Sequence, residues 1–126
     1  EDGFAEAERV LLCSGKIVHE LRAERKKNNH LDTAILTIEQ LYPFPEDELA
    51  AVLEKYSSSR ALVWVQEEPA NMGALSYVRP ILERLAGERG VTTVKRSTSA
   101  SPATGSAKAH AMEQDALIKF AFARYR

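Results

Sequence analysis

The segment WVQEEPANMG at positions 64–73 concentrates side chains that could do chemistry. An apolar run ends there in Gln66, Glu67 and Glu68, and Asn71 follows. Adjacent carboxylates could act as a general acid and a general base. They could also accept hydrogen bonds from backbone amides or arginines of another domain, where paired charges fix orientation. We favour this orienting role, because carboxylates at the exit of a buried strand must be solvated, paired or used.

A second group of residues could bind an anion. Ser14, Gly15 and Lys16 follow a predicted strand and open a predicted helix, so free backbone amides there could hold a phosphate or a carboxylate. The segment lacks the longer glycine loop of a nucleotide site, and simple helix capping by Ser14 is the favoured alternative. A ligand that carries a diphosphate group could bind to these amides, with Lys16, Lys95 and Arg96 supplying positive charge. Lys95 and Arg96 are also the nearest candidates within this chain to pair with Glu67 and Glu68.

His110 and Glu113 are spaced to lie on one side of the predicted last helix and could ligate a metal. A third ligand at a recognisable spacing is absent, so we predict no metal site. Instead, we expect His110 and Gln114 to hydrogen-bond loop backbone. Cys13 ends a predicted strand and is interpreted as a small buried side chain rather than a nucleophile.

Length and composition restrict the class of protein. The chain has 126 residues, the size of one domain. Its 17 basic and 18 acidic residues leave a net charge of -1, which argues against a nucleic-acid partner. No apolar stretch approaches the roughly 20 residues that cross a bilayer, and the acidic start does not resemble a signal peptide. We therefore expect no membrane partner and a cytoplasmic or matrix location, which the single cysteine fits.

Hydrophobic periodicity predicts the elements that position these residues. Short apolar, β-branched runs alternate with stretches of helical spacing, as in an α/β domain with a mainly parallel sheet. Residues 1–8 are interpreted as a tail or linker remnant and residues 9–126 as one domain. Pro80 is expected to kink or restart the third helix. The predicted strands are Val10 to Cys13, Thr33 to Ile38, Ala61 to Val65 and Val91 to Lys95; the predicted helices run from Gly15 to Asn28, from Pro45, from beyond Gly73, and from Ser106 to Arg124.

Every loop that follows a parallel strand lies at the same edge of the sheet. Ligands and partners of open α/β sheets bind at this carboxyl edge. The four loops there are the most unusual segments of the chain, whereas the helix-to-strand connections are ordinary. The predicted loops are 13–16, 39–45, 66–73 and 95–106.

Five motifs in order carry a resemblance to a known family. The chain resembles the C-terminal domain of the decarboxylating, thiamine diphosphate-dependent component of 2-oxoglutarate dehydrogenase, from Arg9 to Phe122. Leu75 stands where the family commonly has an aromatic residue, and Val94-Lys95-Arg96 replaces a Gly-Arg-Pro-like segment. The resemblance implies the transketolase C-terminal fold, a three-layer α/β/α arrangement whose sheet has four or five strands, with room for one antiparallel edge strand. The motifs are CSGK at 13–16, IEQLYPFP at 38–45, WVQEEPANMGA at 64–74, SASPATGS at 99–106 and HAMEQ at 110–114.

The resemblance also implies a function for a parent enzyme. That family oxidatively decarboxylates 2-oxoglutarate and transfers the succinyl group to the lipoyl-bearing succinyltransferase component, as a homodimer in the bacterial cytoplasm or the mitochondrial matrix. Its thiamine diphosphate and magnesium are held by other domains, and this sequence contains no Gly-Asp-Gly motif. We therefore expect no cofactor and no catalytic residue in this chain.

The role that the resemblance implies for this chain is assembly and regulation. The domain packs against the other domains of its parent, and in some actinobacterial relatives it helps to form a site for acetyl-coenzyme A. The alternative is an autonomous regulatory module that binds an acyl-coenzyme A or a nucleotide.

Overall fold

The computed structural model describes residues 7–56, 61–69, 71–96 and 107–123. Strands and helices alternate along the whole described chain, as the periodicity predicts, and a 3-10 turn at Gly87–Arg89 precedes the last strand. Residues 57–60 and most of the predicted loop at 95–106, from 97 to 106, lie outside the described residues. The elements are β1 (Arg9–Cys13), α1 (Ile17–Lys27), β2 (Thr33–Thr37), α2 (Glu46–Glu54), β3 (Ala61–Pro69), α3 (Leu75–Ala86), β4 (Val91–Arg96) and α4 (Ala107–Phe122).

The four described strands form one parallel sheet in the order β2-β1-β3-β4. Leu11 of β1 lies opposite Ile35 of β2 and Val63 of β3. Because β1 is central and covered on both faces, all five of its residues are buried, which explains the continuous hydrophobicity of the strand. The predicted α/β class and the parallel sheet are confirmed, and none of the described strands is antiparallel.

Two apolar layers cover the two faces of the sheet. On one face Trp64 of β3 packs in a cluster with Leu49 of α2 and Val78 of α3. On the other face Val65 belongs to a cluster with side chains of α1 and α4, including Leu117. This arrangement is the expected α/β/α sandwich, and the alternation of side chains along each strand decides which layer a residue enters. None of the described helices combines the length and the apolar character needed to span a membrane.

The end of β3 differs from the prediction. The strand was expected to stop at Val65, but it continues to Pro69 and so includes the polar residues that were assigned to a loop. Pairing with β4 resumes at Pro69, opposite Arg96, after a register shift, and this second contact extends the strand. As a consequence, Glu67 and Glu68 point to opposite faces of the sheet instead of acting as one pair.

Helix boundaries differ at two further places. Ser14 is not the N-cap of α1; that position belongs to Lys16, whose side chain makes no capping hydrogen bond, because Gly15 turns the chain with a φ of 85°. α3 continues through Pro80 without restarting. Pro80 and Ser76, whose carbonyl loses its helical donor, are both exposed, so water can hydrogen-bond that carbonyl.

The packed part of the domain starts slightly before the predicted boundary. Ala7 is buried, and the backbone N–H of Glu8 donates to the carbonyl of Asp32 at 2.9 Å. Arg9 is also buried, and its Nη1 donates to the carbonyl of Ala121 at 2.9 Å. The positive charge of Arg9 therefore lies at the C-terminal end of α4, where carbonyls lack helical partners and the helix dipole is negative. The same hydrogen bond connects the start of β1 to α4.

One hydroxyl group in β2 makes a stability prediction possible. Thr37 Oγ1 is enclosed by protein and has no hydrogen-bond partner among the described residues. Replacement of Thr37 by valine removes this unsatisfied group at nearly constant shape, so we expect the free energy of unfolding to rise by about 1 kcal/mol. Urea denaturation measures the change. The matched control is Thr33→Val, since Thr33 Oγ1 donates to Asp32 Oδ1 at 3.2 Å. A Thr37→Val protein no more stable than the Thr33→Val protein would contradict the assignment.

Candidate functional site at the carboxyl edge

The strand order creates one position where a ligand crevice is expected. β1 and β3 are neighbours, yet the chain leaves β1 through α1 toward β2 and leaves β3 through α3 toward β4. The two helices pack on opposite faces of the sheet. Open α/β sheets bind ligands at such a switch point, beyond the carboxyl ends of the strands. The candidate site therefore lies between the loop after β1 and the end of β3.

Five polar residues from four elements meet at this position, and we call them the edge cluster. Gln114 is at its centre: its Nε2 donates to Glu20 Oε2 at 2.7 Å and to Glu67 Oε1 at 2.9 Å. The guanidinium of Arg96 donates to Oε1 of Gln114 and, through Nη1, to Glu113 Oε2 at 2.9 Å. The cluster joins α1, β3, β4 and α4 into one hydrogen-bonded unit.

The edge cluster carries an excess of negative charge. Three carboxylates (-3) face one guanidinium (+1), which leaves a formal charge of -2. The Arg96 side chain is 14% exposed and that of Glu113 is 36% exposed, so the carboxylate lies at the boundary with solvent. Each carboxylate keeps acceptor capacity after its bond within the cluster. The arrangement can therefore receive further donors, in particular an amide or a cationic side chain that approaches the edge.

Gln66 organises the end of β3 from the opposite face of the sheet. Its side chain is buried, with 4% exposure, and its Oε1 accepts a hydrogen bond from Trp64 Nε1 at 3.0 Å. Its Nε2 lies 3.0 Å from each of three carbonyl oxygens, those of Glu68, Pro69 and Met72. Sequence reasoning expected amides or arginines of another domain as partners, whereas these partners are internal. The interface role of Gln66 stays a prediction.

Glu68 and Asn71 are both exposed near the following turn. Glu68 folds against Gly73, where an added Cβ would lie 3.1 Å from Glu68 Cδ, and Gly73 has a φ of 70°. A side chain at position 73 would thus be disfavoured both by the backbone and by this contact. The four residues predicted to act together are consequently divided, because Glu67 alone enters the edge cluster.

The predicted anion-binding residues lie on two different parts of the edge. Ser14 is half-buried and Lys16 is exposed, both after β1, while Lys95 and Arg96 belong to β4. Because β3 lies between these strands, the two groups are separated by two inter-strand spacings, about 10 Å. Lys95 Nζ donates to Thr93 Oγ1 at 3.3 Å, and Arg96 is engaged by the edge cluster. Anion binding there stays a prediction.

α4 provides the last group of candidate residues. His110 is exposed, and its expected hydrogen bond to loop backbone stays a prediction. Gln114 bonds to side chains instead of loop backbone. The described parts of the chain contain no group of three metal-ligating residues. Farther along the helix, the pKa of Lys119 is raised by a hydrogen bond and by the charge of Asp115, in an exposed surface pair.

Sequence reasoning missed Glu20 altogether and considered Glu113 only as a metal ligand. Glu20 and Gln114 are 94 residues apart in the chain, so spacing could not join them. One signal was available: an acidic residue in the first turn of the helix that follows the first strand is brought to the carboxyl edge by any right-handed β-α-β connection.

The Gln66 side chain makes a second stability prediction. Gln66→Met keeps the length of the side chain, but it leaves the buried indole N–H of Trp64 without its acceptor and removes the two N–H donors that three part-buried carbonyls share. Since buried unsatisfied groups are costly, we expect the free energy of unfolding to fall by about 2 to 3 kcal/mol. Denaturation followed by the fluorescence of Trp64, the single tryptophan, measures the loss.

The matched control for this substitution is Gln40→Met. Gln40 is exposed, and its Nε2 makes one bond to the carbonyl of Tyr42 at 2.9 Å, so a change within about 0.5 kcal/mol is expected. Equal losses in the two variants would show that Gln66 does not organise the strand end.

Sequence comparison finds relatives that match nearly the whole chain. The 2-oxoglutarate dehydrogenase E1 component of Cupriavidus necator is 40% identical over 123 residues, which cover 97% of this chain and 13% of that protein. The corresponding protein of Azotobacter vinelandii is 43% identical over 119 residues, covering 91% of this chain and 13% of its own length. The multifunctional 2-oxoglutarate metabolism enzyme of Mycolicibacterium vanbaalenii is 42% identical over 120 residues, covering 94% of this chain and 10% of that enzyme.

A solved structure extends the comparison to the fold. A chain described as "Split gene transketolase, inactive beta4 tetramer", where beta4 belongs to that protein's name and not to a strand, matches with a TM-score of 0.61. Its identity is 16%, over 93% of this chain and 39% of that one. The present chain spans 10% to 13% of the length of the three curated relatives. The model of the 2-oxoglutarate dehydrogenase C-terminal family matches residues 2–122. With this match over nearly its whole length, the chain belongs to the 2-oxoglutarate dehydrogenase C-terminal family.

Proposed function

We propose that this chain is the non-catalytic C-terminal assembly and regulatory domain of a longer enzyme, which oxidatively decarboxylates 2-oxoglutarate and transfers the succinyl group to a lipoyl carrier. The family membership and the small share of each relative that the chain covers support this proposal. The other domains of a homodimeric parent are the first partners of the domain. The lipoyl-bearing succinyltransferase component is a partner of the whole enzyme.

The observation that carries the proposal is the occupied switch point. Where a doubly wound sheet usually receives its ligand, Gln114 bridges Glu20 and Glu67 with hydrogen bonds of 2.7 and 2.9 Å. A substrate would have to displace these bonds and leave charged groups without partners. A domain whose own side chains close this position is suited to transmitting orientation between neighbours.

The edge cluster offers a physical basis for assembly. Its formal charge of -2 and the exposure of Glu113 leave acceptors that backbone amides or an arginine of a neighbouring domain can use. Such bonds fix orientation because Gln114 and Arg96 already hold the carboxylates in place. Binding of an outer donor then costs little side-chain entropy.

The described residues offer no evident site for the magnesium of the proposed parent. Magnesium needs several oxygen ligands in a near-octahedral arrangement, and the described residues contain no group of three candidate ligands. The sequence also has no Gly-Asp-Gly motif. We therefore assign thiamine diphosphate and magnesium to other domains of the parent and give no residue of this chain a catalytic role.

The proposed regulatory role includes binding of acetyl-coenzyme A near the loop that follows β1. The loop at Ser14 to Lys16 places a lysine before α1, in the region where an acetyl-coenzyme A phosphate could meet backbone amides. Calorimetry of the chain with acetyl-coenzyme A and with adenine nucleotides tests whether the domain binds alone. Saturable binding below millimolar ligand would favour the autonomous module over a regulatory site that needs the other domains.

The proposed lack of catalysis is directly testable. The purified chain, supplied with 2-oxoglutarate, thiamine diphosphate and magnesium, should release no carbon dioxide above a protein-free control. It should also give no binding heat with thiamine diphosphate. Turnover that increases with the concentration of this chain would overturn the proposal.

The edge cluster makes a prediction about assembly. Glu67→Gln preserves an acceptor for Gln114, so the unfolding free energy of the separate domain should change by less than about 1 kcal/mol. In the full enzyme we expect a larger effect on dimerisation or regulation, because the lost charge faces other domains. Analytical ultracentrifugation and thermal denaturation of both proteins measure this difference.

Glu88→Gln is the matched control, since Glu88 is exposed in the 3-10 turn and lies outside the edge cluster. Equal destabilisation of the separate domain and the full enzyme by Glu67→Gln would count against an interface role. So would an identical response to the control substitution.

A further inference from the structure

A cavity of about 520 Å³ lies beside the carboxyl end of β2, on the face of the sheet that α2 covers. It shares no residue with the edge cluster, and the proposed function leaves it unexplained. Its walls combine the last residues of β2, the proline-rich turn that follows and one side of α2. The lining residues include Leu36, Thr37, Glu39, Phe44, Glu48 and Val52.

One wall of the cavity is an open strand edge. Among the described strands, β2 pairs only with β1. The N–H of Ile38 donates to the carbonyl of Cys13 at 2.8 Å, so the alternation of the strand turns the backbone groups of Thr37 and Glu39 away from β1. An unpaired edge of this kind is a template for another extended segment.

The opening is confined to one end of the strand. At the other end of β2, Arg25 Nη1 donates to the carbonyl of Thr33 at 3.3 Å and covers the edge. A segment that adds to β2 would therefore pair beside Thr37 and Glu39, where the cavity begins. The open edge of β2 can pair with the backbone of an added segment, and the adjoining cavity can receive one of its side chains.

The charges that line the cavity favour a positively charged side chain of a bound segment. Glu39 and Glu48 line it, and no lysine, arginine or histidine does. Within the described residues, neither carboxylate has an ion-pair partner, whereas Glu46 at the start of α2 pairs with Arg84. A carboxylate that loses water on binding needs a cation in return.

The apolar residues of the cavity favour a cationic side chain with a long aliphatic stem. Leu36 and Val52 contribute aliphatic surface to the lining that also holds the two carboxylates, and Phe44 contributes an aromatic ring. Arginine and lysine place an aliphatic stem on apolar surface while the charged head reaches polar groups, and a guanidinium also stacks on aromatic rings.

We propose that the open edge of β2 and the adjoining cavity bind an extended, basic segment of a partner polypeptide by strand addition. The backbone of the segment pairs with Thr37 and Glu39. One arginine or lysine side chain enters the cavity, with its charged head between Glu39 and Glu48. This inference is independent of the proposed function, because it uses neither the edge cluster nor the parent enzyme.

The test uses a capped pentapeptide, Thr-Leu-Arg-Val-Thr, titrated into the 15N-labelled chain. We expect amide shifts at Thr37, Glu39 and the start of α2, and binding that weakens as salt is added. Two further peptides separate the parts of the proposal. One carries glutamate in place of arginine, and the other is N-methylated on both sides of the arginine to remove backbone donors. Both should bind at least about fivefold more weakly.

Protein variants complete the experiment. Glu39→Gln combined with Glu48→Gln should weaken the arginine peptide about fivefold, since two exposed ion pairs are lost. Glu54→Gln combined with Glu88→Gln changes the net charge equally at exposed positions outside the cavity and should leave the affinity unchanged. The proposal is overturned if the glutamate or N-methylated peptide binds as tightly, if both double variants behave alike, or if the shifts fall outside this region.

Discussion

At the end of β3, a single amide side chain satisfies a buried indole N–H and bonds to part-buried backbone carbonyls of the following turn. Trp64 is 1% exposed, so its indole N–H needs an acceptor inside the protein, and Gln66 provides it at 3.0 Å. The same side chain directs its N–H groups to the carbonyls that the chain exposes as it turns into α3. Without this exchange, the strand could not end in polar residues beside a packed aromatic ring.

A second glutamine has the corresponding position on the other face of the sheet. Gln114 reaches from α4 to Glu67 on β3 and Glu20 on α1, and Arg96 holds it from β4. The two amides thus close the carboxyl edge on both sides of β3. This closure fills the switch point with side chains of the chain itself and leaves the carboxylates there as acceptors for further donors.

The sequence was sufficient for the architecture because the central strands are buried on both faces. Runs such as Val10 to Cys13 admit few other interpretations when helical periodicity follows. Local details depended on single residues that pattern reasoning handles poorly. Gly15 moved the start of α1 away from Ser14. A register shift against β4 extended β3 to Pro69, so the acidic pair was divided between two faces.

The site was less predictable than the fold, since its members are distant in the chain. The motifs drew attention to Gln66, Glu67 and Gln114 separately, but periodicity does not reveal which side chains bond. The open edge of β2 was equally invisible, because the order of strands in the sheet decides it and the sequence shows only the order along the chain. Tertiary topology supplies this information.

The most direct measurement of the closed carboxyl edge is the hydrogen exchange of the side-chain amide protons of Gln114 in 15N-labelled protein. Exposed Gln40 is the internal reference. If Gln114 bridges Glu20 and Glu67, its amide protons should exchange more slowly than those of Gln40 and show nuclear Overhauser contacts to the side chains of the edge cluster. Exchange as fast as that of Gln40, without such contacts, would mean that the switch point is open and would contradict the central claim.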